Sequence, residues 1–248
     1  MDAADTDHGA RPGTSDRAAI RSIIDGPVAA VDTRSDTVPA DVPLHPAERA
    51  YIAGAVADRY QEFVTARWCA RRAMTLLGLP EAEIAPGPHG QPCWPRGVVG
   101  SITHCAGYRG AALGRSTEVA AVGIDAEPNE PLPADVLDGI SLPQERAWVD
   151  ALGATQAAVR WDRLLFCAKE AVFKAWYPLT GRRLAFASSH ISVDHSQRTF
   201  SARLRTPGPR IQGEALTGLT GRWLVIDGLL LAAIVVPQPV HVTETAGP

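Results

Sequence analysis

Ala121-Val122-Gly123-Ile124-Asp125-Ala126-Glu127-Pro128 reads as a strand running out at its C-terminal end. Val122, Ile124 and Ala126 alternate with Gly123, Asp125 and Glu127, and period-two alternation is the signature of a strand. Residues two apart project to one face, so Asp125 and Glu127 stand side by side. Neighbouring carboxylates repel, and one tends to hold a proton unless a cation sits between them. Mg²⁺, a hard ion held by carboxylates and substrate phosphates, is a natural occupant. Taken alone, the pair better fits two acids facing water at a strand end.

The bulk numbers narrow the class. At 248 residues the chain suffices for one large domain or two small ones. A formal net charge of −3 gives no reason to expect nucleic acid or an anionic membrane as partner. No apolar run reaches the length of a membrane span, and the N-terminus lacks the apolar core of a secretion signal. Cys69, Cys93, Cys105 and Cys167 form no C-x-x-C pair, so a zinc site or disulfide framework is not indicated and a reducing cytoplasm is expected.

Residues 1–17 and 238–248 are expected to be disordered and flexible tails. Val28 to Val31 reads as a first strand. His45-Pro46 opens a long helical pattern through Ile52, Val56, Tyr60, Phe63, Val64, Ala70, Met74 and Leu77, with Gly54 as a break and Gly78 as a stop. Pro80 to Gly97 is loop-rich. Val98 to Thr103 and Tyr108 to Leu113 read as a hairpin, Pro128 to Pro143 as a loop or short helical turn, and Pro143 to Leu152 as a helix ended by Gly153. Ala157 to Trp176 is the strongest helix, with Trp161, Leu164, Leu165, Ala168, Val172, Ala175 and Trp176 on one face and Pro178 as terminator. Strands follow at 183–186, 190–193, 199–204, 223–226 and 229–236, the last two joined by Asp227-Gly228. No internal sequence repeat is apparent.

Three further stretches carry chemistry. Glu170 and Lys174 lie opposite the apolar arc at i, i+4, which suits a solvated ion pair or a carboxylate beside a phosphate-binding cation. Gly100-Ser101-Ile102-Thr103-His104 ends a strand in hydroxyls and an imidazole, donors suited to phosphate oxygens or to a structural role. Arg59 and Arg67 stand two turns apart, about 12 Å along a helix, as a solvated face or a phosphate clamp.

Taken in order, these stretches resemble the phosphopantetheinyl transferases, specifically the larger monomeric type. The resemblance is carried by Gly123-Ile124-Asp125-Ala126-Glu127, a G-x-D-x-E strand, and by Lys169-Glu170-Ala171-Val172-Phe173-Lys174, a K-E-x-x-x-K helix. The upstream strand ending in Thr103-His104 agrees, and Cys93-Trp94-Pro95 with Gly123 to Leu132 looks like the actinobacterial branch. The family moves 4′-phosphopantetheine from coenzyme A to a serine of acyl or peptidyl carrier proteins, in peptide, polyketide and siderophore synthesis. It releases adenosine 3′,5′-bisphosphate and needs Mg²⁺, with Mn²⁺ as a substitute.

By this resemblance Asp125, Glu127 and Glu170 hold the metal, with the Ala126 carbonyl nearby. Glu170 is the general base and Lys174 binds the transferred phosphate. Thr103 and His104 hold the diphosphate or 3′-phosphate, Arg59 and Arg67 clamp the 3′-phosphate, and Pro86, Gly87, Pro88, His89 and Gln91 line the adenine. Leu184 packs against the pantetheine arm. Relatives carry a lysine in the adenine loop, which here offers only His89. The implied fold is α+β: two similar halves, each a long helix packed on an antiparallel sheet, with the active site in the cleft between them. The halves are expected over 18–122 and 123–237, in a monomer. The competing readings are a Mg²⁺-dependent diphosphate hydrolase acting on coenzyme A or nucleotides, and a non-catalytic module binding coenzyme A or a carrier protein.

Overall fold

The computed structural model describes residues 19–36, 42–211 and 213–238. Both expected tails, save Gln238, lie outside them. Helices pack on antiparallel sheets, as an α+β chain requires. β1 (Val28–Thr33), β2 (Val98–Cys105) and β3 (Tyr108–Arg115) form a three-stranded sheet in the order β1-β3-β2. β4 (Val119–Pro128) belongs to a five-stranded sheet with β5 (Ser189–Asp194), β6 (Thr199–Leu204), β9 (Gly218–Ile226) and β10 (Leu229–Pro237), in the order β4-β10-β9-β6-β5. β7 (Arg210–Ile211) and β8 (Glu214–Ala215) make a small ribbon.

The helical pattern after His45 is two helices, α1 (Pro46–Ile52) and α2 (Ala57–Leu76), broken around Gly54 as expected. Cys69, Ala70, Ala73 and Met74 of α2 pack on Val98, Ala111 and Leu113 of the smaller sheet. α3 (Ala134–Ile140) occupies the expected loop, and α4 (Pro143–Thr155) runs through Gly153. α5 (Trp161–Thr180) buries Leu164, Leu165, Ala168 and Val172 against Leu230, Ala232 and Ile234 of β10. Pro178 does not terminate α5. In the last turn it forfeits only the bond to the Lys174 carbonyl, and Gly181 at φ +64° ends the helix instead. The stretch 183–186 is not a strand; a 3₁₀ turn at Phe186–Ser188 leads into β5.

β4 is buried on both faces. Val122, Ile124 and Ala126 face a core with Ile20, Ile23 and Leu231, whereas Ala121 faces the α5 core. Gly123 lies on the α5 side, where a Cβ would meet the Ala171 carbonyl oxygen at 2.1 Å and the Ala175 nitrogen at 2.7 Å. The glycine of G-x-D-x-E is therefore what lets α5 lie directly on the strand that carries the acids.

The two sheets are joined by hydroxyls. The Ile124 N–H donates to Ser101 Oγ at 3.1 Å, and the Ala126 N–H to Thr103 Oγ1 at 3.0 Å. Both pairs advance together, so β2 and β4 run parallel and end on the same side of the molecule. His104 and Cys105 thereby finish beside Asp125 and Glu127.

A repeat that the sequence reading overlooked emerges from the hydrogen bonds. Pro46-Ala47-Glu48-Arg49-Ala50 and Pro143-Gln144-Glu145-Arg146-Ala147 each open a helix. Glu48 is fully buried, accepts the His45 and Ile84 N–H groups, both at 2.9 Å, and pairs with Arg71 of α2. Glu145 is likewise fully buried, accepts the Leu142 N–H at 2.7 Å and the Ile191 N–H at 2.6 Å, and pairs with Lys169 of α5 at 3.0 Å. Each glutamate caps a short helix, catches a later segment and neutralises a buried cation. The matching motif is only a few residues long and the two spacings downstream differ, which hides it from a fixed-period search.

Candidate active site

Arg163, Glu170 and Lys174 follow one another at i, i+7 and i+11, along one face of α5. Close packing at Gly123 lays that face over the end of β4. Lys174 Nζ donates to Asp125 Oδ1 at 2.7 Å, so this lysine reaches across to the strand. Arg163 Nη1 donates to Glu127 Oε2 at 3.1 Å, while its Nη2 donates to the Pro131 carbonyl at 2.8 Å. Arg163 was not singled out from the sequence; a lone arginine in a first turn carries no signal until the strand beneath it is known.

Asp125 is only half satisfied. Asp125 is 4% exposed; its Oδ1 also accepts from Thr103 Oγ1 at 3.1 Å, but buried Oδ2 has no hydrogen-bond partner. Burial and the Asp125 charge push Glu127 up to about 7, against the pull of Arg163. Burial and Asp125 also raise Glu170, opposed by Lys174. Burial works to lower Lys174, but Asp125 and Glu170 prevail and its pKa rises. An orphaned buried carboxylate oxygen and neighbours that gain proton affinity are what a carboxylate set shows when a cation is wanted. Oxygen donors of this kind suit Mg²⁺. Among the described residues no three His, Cys, Asp or Glu side chains are already gathered as a ligand group, and Arg163 and Lys174 are paired with two of the acids. The Ala126 N–H points to β2, and a strand residue's N–H and C=O share a side, so its carbonyl faces away from β10.

Beside the acids opens a cavity of about 530 Å³, walled by α2, β2, α5 and the loop 89–94. Arg59, Arg67, Thr103, His104 and Lys174 all line it, together with His89 and Gln91. Arg67 is buried; its Nε donates to the Ile84 carbonyl at 3.1 Å and its guanidinium lies 4.1 Å over the Phe63 ring. Burial lowers Arg67 to about 10, with Arg71 and Arg59 adding to the effect against Glu48. His104 Nε2 lies 3.0 Å from Arg59 Nη1. Burial, Arg59, Lys174 and Arg109 lower His104, and Glu62 opposes them.

The remaining expected residues divide. Pro86, Gly87 and Pro88 build a small hairpin: Pro86 bridges to Pro92, and the Gly87 N–H donates to the Gln91 carbonyl at 2.7 Å. Gln91 Oε1 accepts the His89 N–H at 2.9 Å, and the Gln91 side chain fills the space where a Gly87 Cβ would be. His89, at the tip, meets the edge of Tyr177 with ring centroids 6.2 Å apart. Leu184 packs at the edge of the α5 core and is not among the residues lining this cavity. Lys169, the first residue of K-E-x-x-x-K, turns inward and donates to the Phe186 and Ser189 carbonyls at 2.9 and 3.0 Å.

A strand of paired acids, a helix presenting Glu170 and Lys174, and an arginine-lined cavity offer the donor types that a polyphosphate and its counter-ion need. Comparison with known proteins gives the family. The family model for the 4′-phosphopantetheinyl transferase N-terminal domain matches residues 47–114, and that for the 4′-phosphopantetheinyl transferase superfamily matches 121–220. The chain is 53% identical over 201 residues to the 4′-phosphopantetheinyl transferase Svp of Streptomyces mobaraensis, covering 81% of this chain and 82% of that protein. It is 53% identical over 194 residues to PptT of Mycobacterium tuberculosis, covering 77% and 85% of the two chains. It is 48% identical over 204 residues to Npt of Nocardia iowensis, covering 79% and 90%. With both halves of the signature matched and three such relatives aligned over most of their length, this chain belongs to the 4′-phosphopantetheinyl transferase superfamily.

Proposed function

We propose that this phosphopantetheinyl transferase moves the 4′-phosphopantetheine of coenzyme A onto a serine of acyl or peptidyl carrier proteins. Those of polyketide, nonribosomal peptide and siderophore assembly are the expected acceptors. The observation that carries this reading is the Asp125–Lys174 contact, whose lysine also lines the cavity shared with Arg59 and Arg67. We read the chain as two similar halves, 18–122 and 123–237, with coenzyme A in the cleft between them. No described helix is long and apolar enough to cross a membrane. We read the enzyme as a cytoplasmic monomer.

Asp125, Glu127 and Glu170 would hold the Mg²⁺, with the Ala126 carbonyl close by. The ion supplies positive charge to a diphosphate whose leaving group gains negative charge. Arg67 and Arg59 bind the 3′-phosphate, Arg67 from a fixed position set by Ile84 and Phe63. His104 meets the diphosphate. Glu170, its proton affinity raised by burial, takes the proton from the carrier serine, directly or through water. The serine oxygen forms a bond to the phosphorus nearest the pantetheine, and the bond from that phosphorus to the bridging oxygen breaks. Lys174, released from Asp125, meets the charge on the departing adenosine 3′,5′-bisphosphate. Thr103, which lines the cavity beside His104, also serves the step by fixing Asp125.

The test is to mix the protein with coenzyme A, Mg²⁺ and an apo carrier protein and to weigh the carrier. A gain of one phosphopantetheine supports the reading. Coenzyme A consumed with the carrier unchanged would make the protein a hydrolase, and no change in either would make it a binding module.

Arg67→Ala is expected to weaken coenzyme A by about tenfold or more, since a charge-assisted bond to a buried guanidinium is lost. The analogue lacking the 3′-phosphate should lose far less affinity. Calorimetric titration with both ligands checks this, and equal losses would move Arg67 away from the 3′-phosphate.

A further inference from the structure

We infer that Glu62 is a positioning residue, holding Arg59 and His104 where the anionic ligand meets them; this rests on the coenzyme A reading of the cavity. Glu62 lies one turn after Arg59 on α2, with its side chain 25% exposed. Its Oε2 lies 3.2 Å from Arg59 Nη1 and 3.8 Å from His104 Nδ1. Its Oε1 lies 3.3 Å from Arg109 Nη2. Arg109 is a fixed anchor: buried, donating from Nη1 to the Tyr108 carbonyl at 2.8 Å and to the Cys105 carbonyl, and from Nη2 to Asp36 at 2.9 Å.

The order of contacts runs from a rigid arginine, through one carboxylate, to two ligand-facing groups. Arg59 and His104 are each 39% exposed, so neither is held by packing. Arg59 can only donate, so His104 Nε2 accepts and the ring proton sits on Nδ1, toward Glu62. The charged groups facing this imidazole are Arg59 and Glu62 from α2, Arg109 from β3 and Lys174 from α5. Glu62 supplies the negative charge among these cations. Without it Arg59 and Arg109 repel, the long Arg59 side chain is freed into water, and ordering it again falls on ligand binding. Glu62 also repels an incoming anion, but Arg109 on its far oxygen offsets that charge, so preorganisation wins.

The effect should fall on binding and run through Arg59. Glu62→Ala is expected to weaken adenosine 3′,5′-bisphosphate about tenfold, within the coupling range of contacting residues. The same change should raise KM for coenzyme A with kcat held within about twofold, as for lost uniform binding. Glu62→Gln, which keeps an acceptor oxygen, should recover part of the loss. In an Arg59→Ala background Glu62→Ala should add only the small share carried by His104, well under the loss it causes in the wild type. Calorimetric titration of the four proteins of this cycle, each first checked for a cooperative thermal transition, provides the measurement. Additive losses, or a loss in kcat rather than KM, would overturn the role of Glu62. Wild-type protein that binds the nucleotide but transfers nothing to a carrier would overturn the transferase reading instead, and the cycle would still decide Glu62.

Discussion

Glu170→Ala is expected to lower turnover by a factor on the order of 10² to 10⁴, the usual contribution of a general base, while coenzyme A still binds. The expectation follows from position. Glu170 shares a helix face with Lys174 and Arg163, and each of those cations is already engaged, by Asp125 and Glu127 respectively. Among the described residues Glu170 is the acid of this face that makes no ion pair, and burial raises its proton affinity. A serine hydroxyl needs such an acceptor at neutral pH. The check is steady-state transfer to an apo carrier beside calorimetric binding of coenzyme A. Near-normal transfer would remove the base assignment, and loss of binding alone would make Glu170 a ligand-binding group.

Glu145→Ala is expected to cost about 3–5 kcal/mol of stability, the range for removing one partner of a buried ion pair. Its side chain is fully buried, and Lys169 opposite is 1% exposed. The substitution strands the Leu142 and Ile191 N–H groups as well as the ammonium. Denaturant unfolding measures it as a lower midpoint at an unchanged slope. Burial already works to lower Lys169, and Glu145 works against burial. With Glu145 gone, the folded state should shed the Lys169 proton more readily than the unfolded state. Between the two pKa values the unfolded chain then binds more protons, so the deficit should shrink as pH rises toward the ordinary lysine value. A deficit below about 1 kcal/mol, or one that grows with pH, would contradict the clamp.

The parts of this molecule that follow a local period were legible. β4 alternates, α5 carries an apolar stripe, and Asp227-Gly228 turns the last hairpin with both residues at positive φ. What escaped was set by tertiary partners. Lys174 was read beside Glu170 because i, i+4 contacts are local, yet its ammonium goes to Asp125, 49 positions away in sequence. Thr103 was read only as a ligand donor, and its second task, joining two sheets and fixing Asp125, has no local signal. Lys169 leads the K-E-x-x-x-K motif, but only the fold shows that its ammonium is held by backbone carbonyls. Pro178 looked like a stop, although a proline in a last turn costs a helix little. Glu62 and Arg163 have no motif at all, and only the folded chain gives them neighbours.

The central claim is that Asp125, Glu127 and Glu170 close on one divalent ion that also grips the coenzyme A diphosphate. A crystal grown with Mn²⁺ and coenzyme A, examined by anomalous scattering, tests it most directly. The account predicts a single strong peak between the diphosphate and the Asp125 carboxylate, with Glu127 and Glu170 coordinating directly or through water. A peak elsewhere, or a bound diphosphate with Asp125 still on Lys174 and no ion between them, would contradict it.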